Sequence, residues 1–243
     1  DEGKGFPLVL VHGFLGSSKM WLPQINFFKD YFRVITPDLP GFGKSNKAKP
    51  QNNIQSIANL LLDCLHEKKI DKFYLLGHSM GGMIVQEMAK KGGDKILKLV
   101  CYSTGPRGEM PGRFETVDQS RENLKNNGLE VMAKNIAKTW FIKGENAKYF
   151  DTCVEAGKQV SMDTADNAFI AFKNWNGVDT LKNIKNETLI VWGDQDKSYN
   201  LEQVQTLEKN IAKSKLIIFK NCAHNVHLEQ PDQFNNTIKD FLL

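Results

Sequence analysis

Six short apolar runs, at positions 7–11, 32–36, 73–77, 97–102, 188–192 and 216–219, constrain this chain more than any other feature. They are apolar nearly throughout instead of alternating with polar residues. A strand with one face in water alternates; a strand covered on both faces does not, and such strands typify parallel sheets. Between the runs lie segments with helical spacing. Residues 51–67 carry Ile54, Ile57, Ala58, Leu61, Leu62 and Leu65, and residues 79–91 carry Met83, Ile84, Met88 and Ala89. Residues 201–212 and 232–242 behave similarly. Strand and helix alternate, so the predicted class is α/β, doubly wound, with a mostly parallel sheet and helices on both faces.

One stretch breaks the alternation. Residues 107–180 contain no convincing strand, only helical pieces separated by Gly112, Asn126-Asn127-Gly128, Gly144 and Gly157. Such a length is too great for a plain loop in a compact domain. The expected organisation is therefore a core of residues 1–106 and 181–243, with 107–180 forming a helical cap over one end of the sheet. A chain of 243 residues with 41% hydrophobic content suffices for one such domain.

Several function classes are disfavoured by composition. The net charge is only +4 and the lysines are scattered, whereas a nucleic-acid footprint gathers basic residues on one face. No apolar run approaches the roughly 18 residues needed to span a bilayer. Cys64, Cys101, Cys153 and Cys222 lie far apart without a Cys-x-x-Cys pair, which suits neither a zinc site nor a disulfide framework. They read as free thiols in a reducing compartment. The opening residues 1–5 do not read as a signal peptide. The expectation is a cytoplasmic protein acting on a partly apolar small molecule, with no metal, cofactor, nucleic-acid or membrane partner.

Chemistry enters at Gly77-His78-Ser79-Met80-Gly81, a Gly-x-Ser-x-Gly sequence that follows an apolar strand and opens a helix. A serine on so tight a turn adopts strained dihedrals, and its neighbours two residues away must lack side chains. Gly77 and Gly81 meet that need and Gly82 adds room. The helix N-terminus beneath the serine favours developing negative charge.

A serine hydroxyl is a poor nucleophile near neutral pH. It needs a base, and the base needs a partner to fix its tautomer. In a Gly-x-Ser-x-Gly hydrolase the three follow the order Ser, Asp or Glu, His. Asp194 and Asp196 both lie just past the run at 188–192, on the rim that Ser79 occupies. Asp194 directly follows Gly193, where an aspartate often serves only the turn. Asp196 is farther into the loop. After the last strand come His224 and His227; the former sits on the rim, the latter reads as a surface or capping histidine. A tetrahedral intermediate further needs two donors for its oxygen. The amide after the nucleophile, Met80, supplies one. The loop His12-Gly13-Phe14-Leu15-Gly16 supplies the other through Phe14, whose ring would also wall the pocket. His12 reads as a buried loop histidine, not a second base.

Four blocks in this order resemble the α/β-hydrolase superfamily over nearly the whole chain: His12-Gly13-Phe14-Leu15-Gly16, Asp38-Leu39-Pro40-Gly41-Phe42-Gly43-Lys44-Ser45, Gly77-His78-Ser79-Met80-Gly81-Gly82, and His224 with His227-Leu228-Glu229-Gln230-Pro231. The resemblance implies Asp196 as the acid, three residues after the strand-end glycine. It also implies His224 as the base and a structural role for Asp38. Departures are the short lead before Pro7, Glu187 where a proline is usual, and Lys197-Ser198-Tyr199-Asn200 where many members carry proline after the acid. The function implied is hydrolysis of a small carboxylic ester through an acyl-enzyme. The alternative within enzymes is carbon–carbon bond hydrolysis of a dienoic keto acid, for which Arg107 and Arg113 are the candidate carboxylate holders. A non-catalytic receptor on the same fold is the alternative of another class.

Overall fold

The computed structural model describes residues 1–109 and 112–243. Six strands form one parallel sheet: β1 (Pro7–Val11), β2 (Arg33–Ile35), β3 (Phe73–His78), β4 (Ile96–Tyr102), β5 (Glu187–Gly193) and β6 (Ser214–Phe219). Their order is β2-β1-β3-β4-β5-β6, and every neighbouring pair is parallel. Five helices of the alternating pattern are α1 (Leu22–Phe28), α2 (Ile54–Glu67), α3 (Met80–Gly92), α7 (Leu201–Asn210) and α9 (Pro231–Leu242). Between β4 and β5 the chain instead forms α4 (Val117–Thr139), α5 (Phe150–Lys158) and α6 (Met162–Asn174), and a short helix α8 (Val226–Glu229) precedes α9. Each of the six apolar runs supplies a strand, and the α/β class holds.

The continuous apolar character of the strands serves two separate cores. Val9, Val11, Leu75, Leu99, Cys101 and Ile190 face one side, against Ile54 and Leu61 of α2 and Met83 and Ile84 of α3. Leu8, Leu10, Leu76, Val100, Leu189 and Val191 face the other, against Phe28 of α1 and Phe234 and Ile238 of α9. Strand side chains alternate in direction, so a strand apolar at every position feeds both layers. Each fully buried large apolar side chain contributes about 2 kcal/mol, which fixes the register of the central strands.

Helix ends follow local chemistry. The Asn53 side chain accepts the Ser56 N–H at the start of α2, and Thr116 and Gln119 form a reciprocal cap on α4. Within α4, Gly128 at φ 76° interrupts the helical dihedrals where Asn126-Asn127-Gly128 predicts a break. Gly157, read from sequence as a separator, lies inside α5 instead. A Cβ there would stand 2.8 Å from the Ala133 Cβ, so this glycine permits close approach of α5 to α4.

The chain leaves β1 for β2 on one side and returns to β3 on the other. That reversal opens a crevice at the carboxyl ends of β1 and β3, the usual ligand position in an open α/β sheet. Residues of α4 and α6 stand over this end, with Ile136 and Phe172 sharing a cleft with Ser79. No helix among the described residues is long and apolar enough to cross a membrane.

Candidate active site

Ser79 is the single residue between β3 and α3, at φ 57° and ψ −117°. A non-glycine residue in that region stores strain, here held by its surroundings. A Cβ on Gly77 would run into the Gly81 carbonyl, and one on Gly81 into the Val11 carbonyl. A Cβ on Gly82 would strike Thr104. The three glycines therefore let β3, α3 and the end of β1 close around the serine. The Ser79 N–H donates to the Tyr102 carbonyl at 3.0 Å, and Thr104 Oγ1 donates to the Ser79 carbonyl at 2.8 Å.

The turn after β5 brings its two aspartates to different tasks. Asp194 accepts the Asn221 N–H at 2.8 Å and lies 3.6 Å from the Lys220 ammonium, joining the turns after β5 and β6. Asp196 points inward, with no exposed side-chain surface. Its Oδ1 accepts the amides of Ser198 (2.7 Å) and Tyr199 (3.3 Å), and its Oδ2 lies 2.9 Å from His224 Nδ1. A carboxylate so placed holds the proton on Nδ1 and leaves Nε2 as an acceptor.

His224 is buried in the loop after β6. Four hydrogen bonds hold that loop. Glu229 accepts the Ala223 amide at 2.6 Å and the Ile142 amide at 2.7 Å, and the Asn225 amide donates to the Trp140 carbonyl at 3.0 Å. The Tyr102 hydroxyl donates to the His224 carbonyl at 3.0 Å. Burial raises the Glu229 pKa, and the two amides it accepts oppose that rise.

The remaining histidines of the four blocks lie in the interior. His227 is fully buried, its Nδ1 2.9 Å from the Tyr102 hydroxyl, and burial pushes its pKa down to about 3. His78 packs between His224 and His227, and burial, followed by the charge of those neighbours, holds it well below 6.5. His12 accepts the Leu39 amide on Nε2 at 3.0 Å and places Nδ1 2.8 Å from the Gly13 carbonyl; burial lowers its pKa. Asp38 accepts the amides of Ser18 (2.6 Å) and Lys44 (2.9 Å), tying the second block to the loop after β1.

Ser79, His224, Phe14 and Met80 line one narrow cleft of about 40 Å³. The amides of Phe14 and Met80 have no hydrogen-bond partner among the described residues. The walls are Met83, Phe114, Ile136, Trp140 and Phe172, and the polar residues are Arg113, Ser198 and Tyr199. Of the aromatic residues in the 107–180 stretch, Phe114, Trp140 and Phe172 reach the cleft. Phe141, Phe150, Phe169 and Trp175 are buried outside it. Arg113 lines the cleft, whereas Arg107 is exposed on the strand-like bridge to Asn176. Among the described residues no group of three His, Cys, Asp or Glu side chains is arranged to hold a metal ion.

Tyr102, Glu229 and Tyr199 were not singled out from the sequence. Tyr102 reads as one more apolar strand residue, and only the fold reveals its hydroxyl beneath the base. Tyr199 had a signal, the departure from proline after Asp196, but nothing in the sequence showed where its ring would go.

A parallel doubly wound sheet carrying a serine on a strained strand-to-helix turn defines the α/β-hydrolase class. A family model described as alpha/beta hydrolase fold matches residues 7–231; the chain belongs to this family and is a hydrolase. It is 30% identical over 247 residues to a pimeloyl-[acyl-carrier protein] methyl ester esterase from Legionella pneumophila, covering 99% of this chain and 96% of that one. It is 26% identical over 245 residues to an (E)-2-((N-methylformamido)methylene)succinate hydrolase from Acinetobacter baylyi, covering 100% and 92%. Among solved structures, a thermophilic esterase from Thermogutta terrifontis superposes with a TM-score of 0.89 at 25% identity, covering 99% of this chain and 90% of that one.

Proposed function

We propose that this chain is a serine hydrolase that cleaves a small, partly apolar carboxylic ester through an acyl-enzyme, with residues 107–180 acting as the cap that shapes its pocket. The observation that carries the reading is the 2.9 Å Asp196–His224 pair on the same cleft as the strained Ser79. Ser79 Oγ attacks the ester carbonyl and its proton passes to His224 Nε2. The carbonyl electron pair moves onto oxygen, which the amides of Phe14 and Met80 receive. Collapse breaks the bond to the alcohol, which leaves with the proton from His224. Water then attacks the acyl-enzyme, again giving its proton to His224, and Oγ departs with that proton. Asp196 keeps its charge and orients the imidazole throughout.

Apolar walls from Met83, Ile136, Trp140 and Phe172 suit an acyl chain. The Legionella relative, named for action on a methyl ester, fits that chemistry. Fluorophosphonate labelling tests the nucleophile, and p-nitrophenyl esters of increasing chain length size the pocket. Labelling that is absent, or that survives Ser79→Ala, overturns the reading; an unlabelled protein that still binds ligands would be a receptor.

One observation supports a second reading. Arg113 lies on the cleft, and its guanidinium donates to the Glu115 carbonyl and Ser120 hydroxyl at 2.7 and 2.9 Å; among the described residues it forms no direct ion pair, although the Glu115 charge acts on it. A half-buried cation on the same cleft as the nucleophile suits a substrate carboxylate, such as that of a dienoic keto acid undergoing carbon–carbon hydrolysis. Turnover of a ring-fission product in preference to p-nitrophenyl esters would select that reaction.

A further inference from the structure

Tyr199 follows Asp196 by three residues, and three anchors hold it. Its amide donates to Asp196 Oδ1 at 3.3 Å. Its carbonyl accepts the Trp192 indole N–H at 2.9 Å. Asn200, the next residue, caps α7 reciprocally with Gln203 at 3.0 and 3.1 Å. The side chain is 4% exposed and turns inward. Its ring is parallel to the His224 imidazole within 8°, with centroids 5.8 Å apart. On another side it meets Gly105, where a Cβ would stand 3.1 Å from Tyr199 Cδ1. Tyr199 lines the same cleft as Ser79 and His224, and its hydroxyl lies toward the Ser79 and Thr104 side chains.

Three hydroxyls gathered on one side of the cleft have three protons to place. Thr104 spends its proton on the Ser79 carbonyl. The Ser79 proton goes to His224 Nε2 if the reaction is to begin. Tyr199 is left with a proton and two possible acceptors, Ser79 Oγ and Thr104 Oγ1. As Oγ loses its proton it becomes the stronger acceptor, because hydrogen bonds to developing negative charge are the stronger ones.

We propose that Tyr199 is a further catalytic residue, whose hydroxyl donates a hydrogen bond to Ser79 Oγ while that oxygen carries negative charge in both half-reactions. In acylation the bond assists transfer of the serine proton to His224. In deacylation Oγ is the leaving group, and the same donor supports it until His224 returns the proton. Once Oγ is an ester oxygen, a poor acceptor, the phenol turns to Thr104. Tyr199 neither gains nor loses a proton over the cycle, and its burial, which raises its pKa, keeps it protonated. The role rests on the serine-hydrolase reading but not on any particular ester.

The test is the kinetics of fluorophosphonate labelling in Tyr199→Phe, which keeps the ring beside His224 and all backbone contacts. Labelling should slow by about 10- to 100-fold. The loss should fall in the maximal rate and not in the reagent concentration giving half of it, with the melting temperature unchanged. Replacing Tyr199 by 3-fluorotyrosine, which keeps the hydroxyl and makes it a stronger donor, should label at least as fast as the natural protein. Labelling of Tyr199→Phe within twofold of the natural protein overturns the role, as does a fluorotyrosine protein as slow as the phenylalanine one. Were Tyr199→Phe unfolded, the fluorotyrosine protein would be judged against the natural one, and slower labelling would overturn the role. Failure of the natural protein to label would sink the serine-hydrolase reading itself and the Tyr199 role with it.

Discussion

Tyr102 joins the two halves of the site: its carbonyl accepts the Ser79 N–H and its hydroxyl donates to the His224 carbonyl, each at 3.0 Å. The same hydroxyl accepts the His227 amide at 3.1 Å. One strand-end residue thus ties the turn that strains the serine to the loop that carries the histidine. Its phenol is fully buried and its pKa raised by that burial, so it remains a neutral donor.

Tyr102→Phe removes the hydroxyl and leaves the His224 carbonyl, the His227 amide and His227 Nδ1 without this partner. Leaving a buried polar group unpaired costs about 1–3 kcal/mol, so stability should fall by at least about 2 kcal/mol in urea unfolding. Turnover should fall several-fold, because the loop bearing His224 loosens while the Asp196 pair survives. An unchanged unfolding midpoint would show that the hydroxyl carries no structural weight.

Ser79→Ala should lower turnover by roughly 10⁴-fold or more and leave the circular dichroism spectrum and melting temperature unchanged. The turn is held by Gly77, Gly81 and Gly82, not by the serine hydroxyl. Gly81→Ala should act in the opposite way, losing stability first, because its Cβ would meet the backbone of β1. More than a tenth of the activity remaining in Ser79→Ala would remove Ser79 from its role.

The two aspartates after β5 separate cleanly by their partners. Asp196→Asn keeps the shape but offers His224 Nδ1 a neutral group in place of a carboxylate. Turnover should drop by on the order of 10³- to 10⁴-fold. Asp194→Asn touches only the Asn221 amide and Lys220, so its effect should appear in unfolding and not in kcat. Reversed kinetic effects would reassign the acid.

Much of this is legible in the sequence. Apolar runs without alternation specified strands covered on both faces, and the two cores confirm why no polar position was available in them. Glycine spacing around Ser79 specified a turn that only missing side chains permit. Local chemistry alone does not separate Asp194 from Asp196; which of them meets His224 depends on how the loops after β5 and β6 come together. Tyr102 and Tyr199 were illegible for a related reason. A tyrosine in an apolar strand or a polar loop declares no partner, and its hydroxyl acquires one only when segments distant in sequence converge.

Acid should act on this protein through two separable events. His12, His78 and His227 are buried with pKa values lowered by desolvation, His227 to about 3. An unfolded histidine titrates near 6.5. Between these values the unfolded chain binds more protons, so stability falls as pH drops from about 6.5 toward 3. At pH 5.5 His227 alone costs about 1.4 kcal/mol, and His12 and His78 push in the same direction. Glu229, with its pKa raised, offsets part of this loss, because its protonation favours the folded state. In the proposed mechanism activity depends on a different group, since Ser79 passes its proton to a neutral His224. His227→Gln should therefore flatten the stability profile between pH 5 and 6 by up to about 1.4 kcal/mol per pH unit. The acid limb of kcat should stay where it was, because a histidine already neutral throughout that range has no proton to lose. Urea midpoints and pH–rate profiles on the same variant decide the matter. A limb that vanished with His227 while His224→Ala retained one would make His227 the base and reverse the assignment of the last block.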